Sequence, residues 1–295
     1  MKLVIGYLAT PGGADALALG LRFARSMGAE VEICLILPPA RLPALGGSPA
    51  GYEKLIAERT DTWIADALAQ VPDGVVARGH RYIAESFAEG LISEVVRLQA
   101  DLLVVGGSGG GLAGSRSLGS VVNELLYSAP VPVAVAPRGL RESRVDRVGG
   151  ITCAIGERAG ADLLLDTAVR FGAAAEAPLR LVSLVALDPV FGSLRGDADA
   201  ARQHAVTHAL RTLEQAKDEL PKGFPVTSSV LEGQSVEDAV AQLTWHDGDI
   251  IMVGSSRLSA PRRLFLGSTA AKMLRVLDVP MIVVPRDQLS EEDLP

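Results

Sequence analysis

Residues 106–120 read GGSGGGLAGSRSLGS, and seven of these fifteen are glycine. Glycine-rich backbone lets several N–H groups turn toward one point, which suits an anion cradle. Gly119–Ser120 then open a segment of helical apolar spacing, and a helix N-terminus presents further unsatisfied N–H groups to a phosphate. The spacing is Gly106-x2-Gly109, nine residues, Gly119-Ser120. A solvated surface loop would share this composition, so glycine content alone leaves both readings open.

Two well-known phosphate motifs fail here. Gly109-x-Gly111-x-x-Gly114 matches the dinucleotide fingerprint as a pattern. That fingerprint, however, runs from a first strand straight into a helix, with an acid about 20 residues later. Here the helix opens at Gly119–Ser120, and residues 125–137 hold no Asp or Glu. A P-loop needs Gly-Lys-Ser/Thr, and neither glycine loop contains Gly-Lys.

A second loop has the same frame with one change. It reads Gly254-Ser-Ser-Arg257, nine residues, Gly267-Ser268, so Arg257 replaces the second glycine, and Arg262 and Arg263 add charge. Three readings follow. Arg257 fills the cradle, or the arginines clamp a phosphate bidentately, or the loop is basic and solvated without a ligand.

Other reactive side chains lack a supporting context. His204 and His208 share a helix face four residues apart, but HAVTH has no Glu in the HExxH position and no third ligand is indicated. His80 and His246 are isolated. Ser108, Ser120 and Ser268 lack the G-x-S-x-G elbow of a nucleophilic serine. Cys34 and Cys153 fall within apolar runs, as inert buried thiols do.

The elements that must position these loops come in two copies. DLLVVGGS (101–108) recurs as DIIMVGSS (249–256), and LGSVVNELLYSAPVPVAVAPR (118–138) as LGSTAAKMLRVLDVPMIVVPR (266–286). ADALALGLRFA (14–24) recurs as ADLLLDTAVRFG (161–172), with offsets of 147 to 148 residues. This is a tandem duplication. The division is 1–139, a polar linker 140–147, 148–287, and an acidic tail 288–295.

Short apolar runs at Lys2–Leu8, Glu30–Leu37, Val75–Arg81, Leu102–Gly107 and Val131–Ala136 predict strands. Helical spacing lies between them at Ala14–Met27, Tyr52–Val71, Glu85–Gln99 and Ser120–Tyr127. The second unit repeats this, with strands near 148–155, 179–186, 225–231, 249–254 and 281–284 and a helix over 198–220. Strand–helix alternation predicts two doubly wound α/β domains, each a five-stranded parallel sheet with helices on both faces. Ligands of such sheets bind outside the carboxyl ends of the strands, at the switch point.

Composition agrees. The 295 residues are 48% hydrophobic but only 4% aromatic, which suits closely packed parallel sheets. A net charge of −7 and a pI near 5.2 argue against nucleic acid as a partner. The N-terminus MKLVIGYLATPGG reads as a first strand rather than a signal peptide, and no apolar run is long enough for a membrane span. Two distant cysteines suggest a reducing compartment, so the expected location is cytoplasmic.

With the loop spacing, the preceding Leu102–Val105 and the Pro132–Val135 strand, the chain resembles a tandem universal stress protein over essentially all 295 residues. The resemblance implies a Rossmann-like fold of the adenine nucleotide α-hydrolase type and a stress-related regulatory protein that binds ATP, with Mg²⁺, with little or no hydrolysis. Gly106 and Gly109 would approach the ribose and phosphates, and Gly119 and Ser120 would bind phosphate. Leu8 and Ala9 would border that site. Gly254, Arg257, Gly267, Ser268 and Ile155 would form a degenerate second one.

The chain departs from the family at one position in each half. Nucleotide-binding members end the first strand in Val-Asp-Gly-Ser, and Leu8 and Ile155 are read here in place of that Asp. Losing one hydrogen bond to a charged group, about 1.5–3 kcal/mol, weakens binding roughly 10- to 100-fold. Glu157 is the nearest substitute carboxylate. The first half is therefore the expected nucleotide site. The alternative is a member that has lost the nucleotide and works through protein contacts. A pyrophosphatase-type enzyme of the wider superfamily lacks its S-G-G-x-D-S signature. The resemblance also implies that Val131–Ala136 and Met281–Val284 pair within the chain as an internal pseudo-dimer, and two chains could associate further as a homodimer.

Overall fold

The computed structural model describes residues 1–39, 49–107, 119–156, 160–186, 198–255 and 267–285. Gly109, Arg257, Glu157, Ser108, Arg262, Arg263 and the 288–295 tail lie outside these residues.

Short aliphatic runs form the strands because both faces of a parallel sheet are covered. The first half has β1 (Lys2–Gly6), β2 (Glu30–Leu37), β3 (Ala77–Ile83), β4 (Leu102–Gly106) and β5 (Val133–Ala136). The second has β6 (Gly150–Ala154), β7 (Leu179–Ala186), β8 (Val226–Gly233), β9 (Asp249–Gly254) and β10 (Met281–Val284). They join into one ten-stranded sheet, ordered β3-β2-β1-β4-β5-β10-β9-β6-β7-β8. Every pairing is parallel except β5 with β10, where Met281 faces Val135 and Val283 faces Val133.

The connecting helices are α1 (Pro11–Met27), α2 (Pro49–Leu68), α3 (Phe87–Leu98), α4 (Ser120–Ser128), α5 (Ala161–Ala175), α6 (Ala198–Asp218), α7 (Val236–Val240) and α8 (Ser268–Val276). One apolar cluster, including Leu3, Ile5, Phe23, Val104, Phe171 and Ile282, fills one face of the sheet, and another, including Val4, Leu91, Leu103 and Val283, fills the other. Phe23 of α1 meets Phe171 of α5 edge to face at 6.5 Å, a favoured aromatic geometry.

Strand pairing sets the halves at an offset of 148 along β1, β2, β4 and β5, with no stretch at 147, and at 149 along β3 and α3. Leu17 and Phe23 are buried in α1, and Leu165 and Phe171 in α5. Small residues trade places with their neighbours in the same register. A Cβ on Gly6 would fall 2.7 Å from Leu91 Cδ1; the second half has Ala154 and, for the leucine, the smaller Val240. A Cβ on Gly20 would fall 2.2 Å from Ile5 Cδ1; its counterpart Ala168 faces the smaller Cys153. Each swap preserves volume, as close packing requires.

The helix starts differ between the halves. α1 begins at Pro11, three residues before the expected Ala14, because Thr10 caps it: its hydroxyl accepts from the Gly13 N–H at 3.2 Å, and Pro11 fits the first turn. α5 begins at Ala161, after Gly160 at φ 91°.

The linker is more tightly held than a solvated polar stretch. Asp15, 1% exposed, accepts from the Gly139 and Arg141 N–H groups at 3.0 Å and from the Arg141 guanidinium at 3.1 Å. Arg22 donates to Ser143 Oγ at 2.6 Å, which in turn donates to Asp247. Arg141 thus anchors the linker to α1.

Cys34 and Cys153 are both fully buried free thiols. Burial raises both, and for Cys34 the carboxylates of Glu94 and Glu32 push further the same way. Neither forms thiolate near neutral pH, so both are expected to react with a thiol reagent only at the rate of unfolding. Fast labelling of native protein at pH 8 would contradict this.

Candidate functional site

In each half the chain goes out along one side of the sheet and back along the other, so the switch point lies between β1 and β4, and between β6 and β9. The strand ends, the following loop and two helix N-termini meet there. Gly119 caps α4 and Gly267 caps α8, neither with a side-chain hydrogen bond, so the first N–H groups of both helices face outward. Ser120 and Ser268 are exposed at those positions.

One assignment from the sequence changes at this point. Ile155 does not stand opposite Leu8. The Tyr7 N–H donates to Cys34 O at 2.9 Å and the Ile155 N–H to Val182 O at 2.8 Å, and Cys34 and Val182 are 148 apart. Ile155 therefore matches Tyr7, both buried. Gly156 matches Leu8, so the position of the family carboxylate holds no side chain at all in the second half.

The two switch points differ in how much room they leave. In the first half the first turn of α1 lies on the strand ends. A Cβ on Gly106 would fall 1.9 Å from Gly12 O and 2.6 Å from Gly12 C. The glycine expected to approach a ribose is thus in contact with the protein's own backbone, with Leu8 half-buried beside it and Ala9 exposed. In the second half, Gly254 occupies the place of Gly106, and among the described residues a Cβ there would meet only Leu164 Cδ2, at 3.7 Å. Among the described residues, a Cβ on Gly156 would meet nothing within 4 Å.

A cavity of about 190 Å³ occupies that opening. Its walls are apolar, with Ile155 and Leu164 on one side and Val253, Ala270 and Met273 on the other. Ser183, Ser255 and Thr269 contribute hydroxyls, and Gly156, Gly160 and Gly254 leave backbone at the rim. Its described lining carries no charged side chain. An apolar slot with a few hydroxyls, ending at a helix N-terminus, suits a flat heteroaromatic ring carrying an anionic group. A larger open groove of about 560 Å³ lies elsewhere, between the amino ends of the first-half strands and the flank of α5. It is away from the switch point and holds none of the expected site residues.

A family model described as the universal stress protein family matches residues 1–137 and again 150–285. The chain belongs to the universal stress protein family. A universal stress protein of Mycobacterium tuberculosis is 29% identical over 296 residues, spanning 97% of this chain and 100% of that one. A crystal structure of a universal stress protein from Archaeoglobus fulgidus superposes with a TM-score of 0.68 at 17% identity, covering 97% of this chain and 98% of the other. A functionally unknown protein from Pseudomonas aeruginosa gives 0.61 at 16%, covering 96% and 92%. These two likenesses concern the fold.

Within this member of the family, the structure brings Gly254 and Thr269, next to Ser268, onto one cavity, while Gly106 faces the first turn of α1. The sequence reading missed Gly156, Gly160, Ala161, Ser183 and Thr269. A 148-residue register over this segment would have found Gly156, the counterpart of Leu8. Ser183 lies in the middle of an apolar strand, where no local pattern marks it. Among the described residues no helix is long and apolar enough to cross a membrane, and no group of three ligand-type side chains could hold a metal, His204 and His208 included.

Proposed function

We propose that this universal stress protein binds one adenine nucleotide per chain, ATP with its own Mg²⁺, in the second-half cavity, and serves as a regulator with little or no hydrolysis. The observation that carries this reading is the open slot at the β6–β9 switch point. Its apolar walls suit the base, and the N-terminus of α8 suits the phosphates. Its volume lies below the roughly 300 Å³ at which pockets for whole drug-sized ligands begin, so the base is enclosed and the phosphates lie outside. With no carboxylate or imidazole in its described lining, the slot offers no general base. The sequence reading favoured the first half; the packing of Gly12 on Gly106 speaks for the second.

The antiparallel β5–β10 pair supports treating the chain as an internal pseudo-dimer whose halves have separate roles. Leu8 and Gly156, where nucleotide-binding relatives have Asp, favour a second reading, in which the chain works through protein contacts alone.

Calorimetry with ATP·Mg²⁺ separates the two. One equivalent is expected to bind, and ligand at 100 times its Kd would add about 2.7 kcal/mol of stability. Gly156→Leu, which installs the first-half residue in open space, is expected to abolish binding while leaving the melting temperature of the free protein within a few degrees. No heat and no thermal shift with millimolar ATP would establish the second reading; unchanged binding by Gly156→Leu would place the nucleotide elsewhere.

A further inference from the structure

The same element appears in two conformations within one chain, and the residues that differ between them explain which half is open. In α1, Gly12 and Gly13 are helical and the first turn lies on the ends of β1 and β4. That placement tolerates nothing larger than glycine at position 13, because a Cβ there would fall 1.9 Å from Leu8 O and 2.8 Å from Leu8 N. Both clashing atoms are backbone, so no side-chain rotation relieves them. The counterpart of Gly13 in the second half is Ala161. Its methyl group would meet the backbone of residue 156 if α5 adopted the α1 arrangement. Four residues from Gly160, Leu164 stands where α1 has Ala16, and among the described residues it is what a Cβ built on Gly254 would meet. Gly160, the counterpart of Gly12, meanwhile sits at φ 91° rather than in the helix.

We infer that Ala161 and Leu164 are wedges that hold the N-terminus of α5 away from the strand ends, and that the exchange Gly13/Ala161 decides which half of the chain carries an open ligand site. The consequence for ligand binding rests on the nucleotide reading above; the conformational statement stands on the geometry. In the wild-type protein α5 starts two residues later than α1 does and leaves the slot free. With the wedges removed, its first turn winds down as in α1, where the Ala14 N–H donates to Thr10 O at 2.9 Å. The counterpart of Ala14 is Asp162, whose amide reports the change.

The test compares wild type, Ala161→Gly and Ala161→Gly/Leu164→Ala in the full chain. Two readouts are used: hydrogen exchange of the Asp162 amide and titration with ATP·Mg²⁺. Winding is expected to slow exchange at Asp162 at least tenfold and to weaken ATP binding at least tenfold in the double variant, with a smaller change of the same sign in Ala161→Gly. Exchange at Asp162 unchanged in both variants overturns the inference. If the double variant does not fold, the single one, which removes only a methyl group, decides. Wild-type protein that binds no ATP overturns the nucleotide reading while leaving the exchange comparison decisive for the wedge. The converse exchange, Gly13→Ala, is expected to lift the first turn of α1 and raise the stoichiometry from one ATP toward two; a folded Gly13→Ala protein with protected first-turn amides and one ATP also counts against it.

Discussion

Gly106→Ala is expected to lower the unfolding free energy by about 3 kcal/mol, the upper end of what overpacking a well-filled interior costs, whereas Gly254→Ala is expected to stay within about 1 kcal/mol of wild type. The motif alone assigns the two glycines one role, as the first glycine of a phosphate loop, and predicts equal consequences. The packing separates them. The methyl group of the first substitution falls 1.9 Å from a carbonyl oxygen of α1, and only a shift of the helix relieves it. That of the second meets a leucine methyl at 3.7 Å, ordinary van der Waals contact. Urea denaturation of both variants measures the difference, as a fall in midpoint with unchanged slope for Gly106→Ala. Equal destabilisation of the two would show that the halves are alike at this point.

Asp15→Ala is expected to cost about 3 kcal/mol, since hydrogen bonds to a charged acceptor contribute about 1.5–3 kcal/mol each and their loss strands partly buried donors. The carboxylate is 1% exposed and gathers two backbone N–H groups and the Arg141 guanidinium. From α1 it fixes the turn Leu140–Glu142 between the halves. Asp15→Asn keeps one acceptor oxygen and the same shape, so a cost near half that value is expected from chemical denaturation. If Asp15→Ala unfolds with the wild-type midpoint, the linker is held by Arg22, Ser143 and Asp247 without it. By comparison, Arg25 and Asp146 meet at 2.6 Å on the surface, and such pairs contribute at most about 1 kcal/mol.

Much of this molecule was legible in the chain. Strand–helix alternation, the duplication and the parallel order follow from apolar periodicity, because strands buried on both faces cannot avoid aliphatic runs. The pairing of the final strands was also expected, on the family resemblance. The candidate site was legible only as a region. Its loop glycines mark the carboxyl end of a strand equally in both halves, and part of each loop, with Gly109 and Arg257, lies outside the described residues.

What the sequence alone placed wrongly was the register, at Ile155. Matching Ala14–Asp15 to Ala161–Asp162 is reasonable by identity, yet it slips by one, since helix faces and strand hydrogen bonds obey burial rather than letter matching. The sequence by itself determined the fold class, the duplication and where on each sheet a ligand could bind. Only the tertiary structure decided which of the two places has room. That outcome turns on a methyl group at 161 against a backbone oxygen, and on whether Thr10 can extend a helix by two residues, distances of an ångström or two between segments that no local pattern relates.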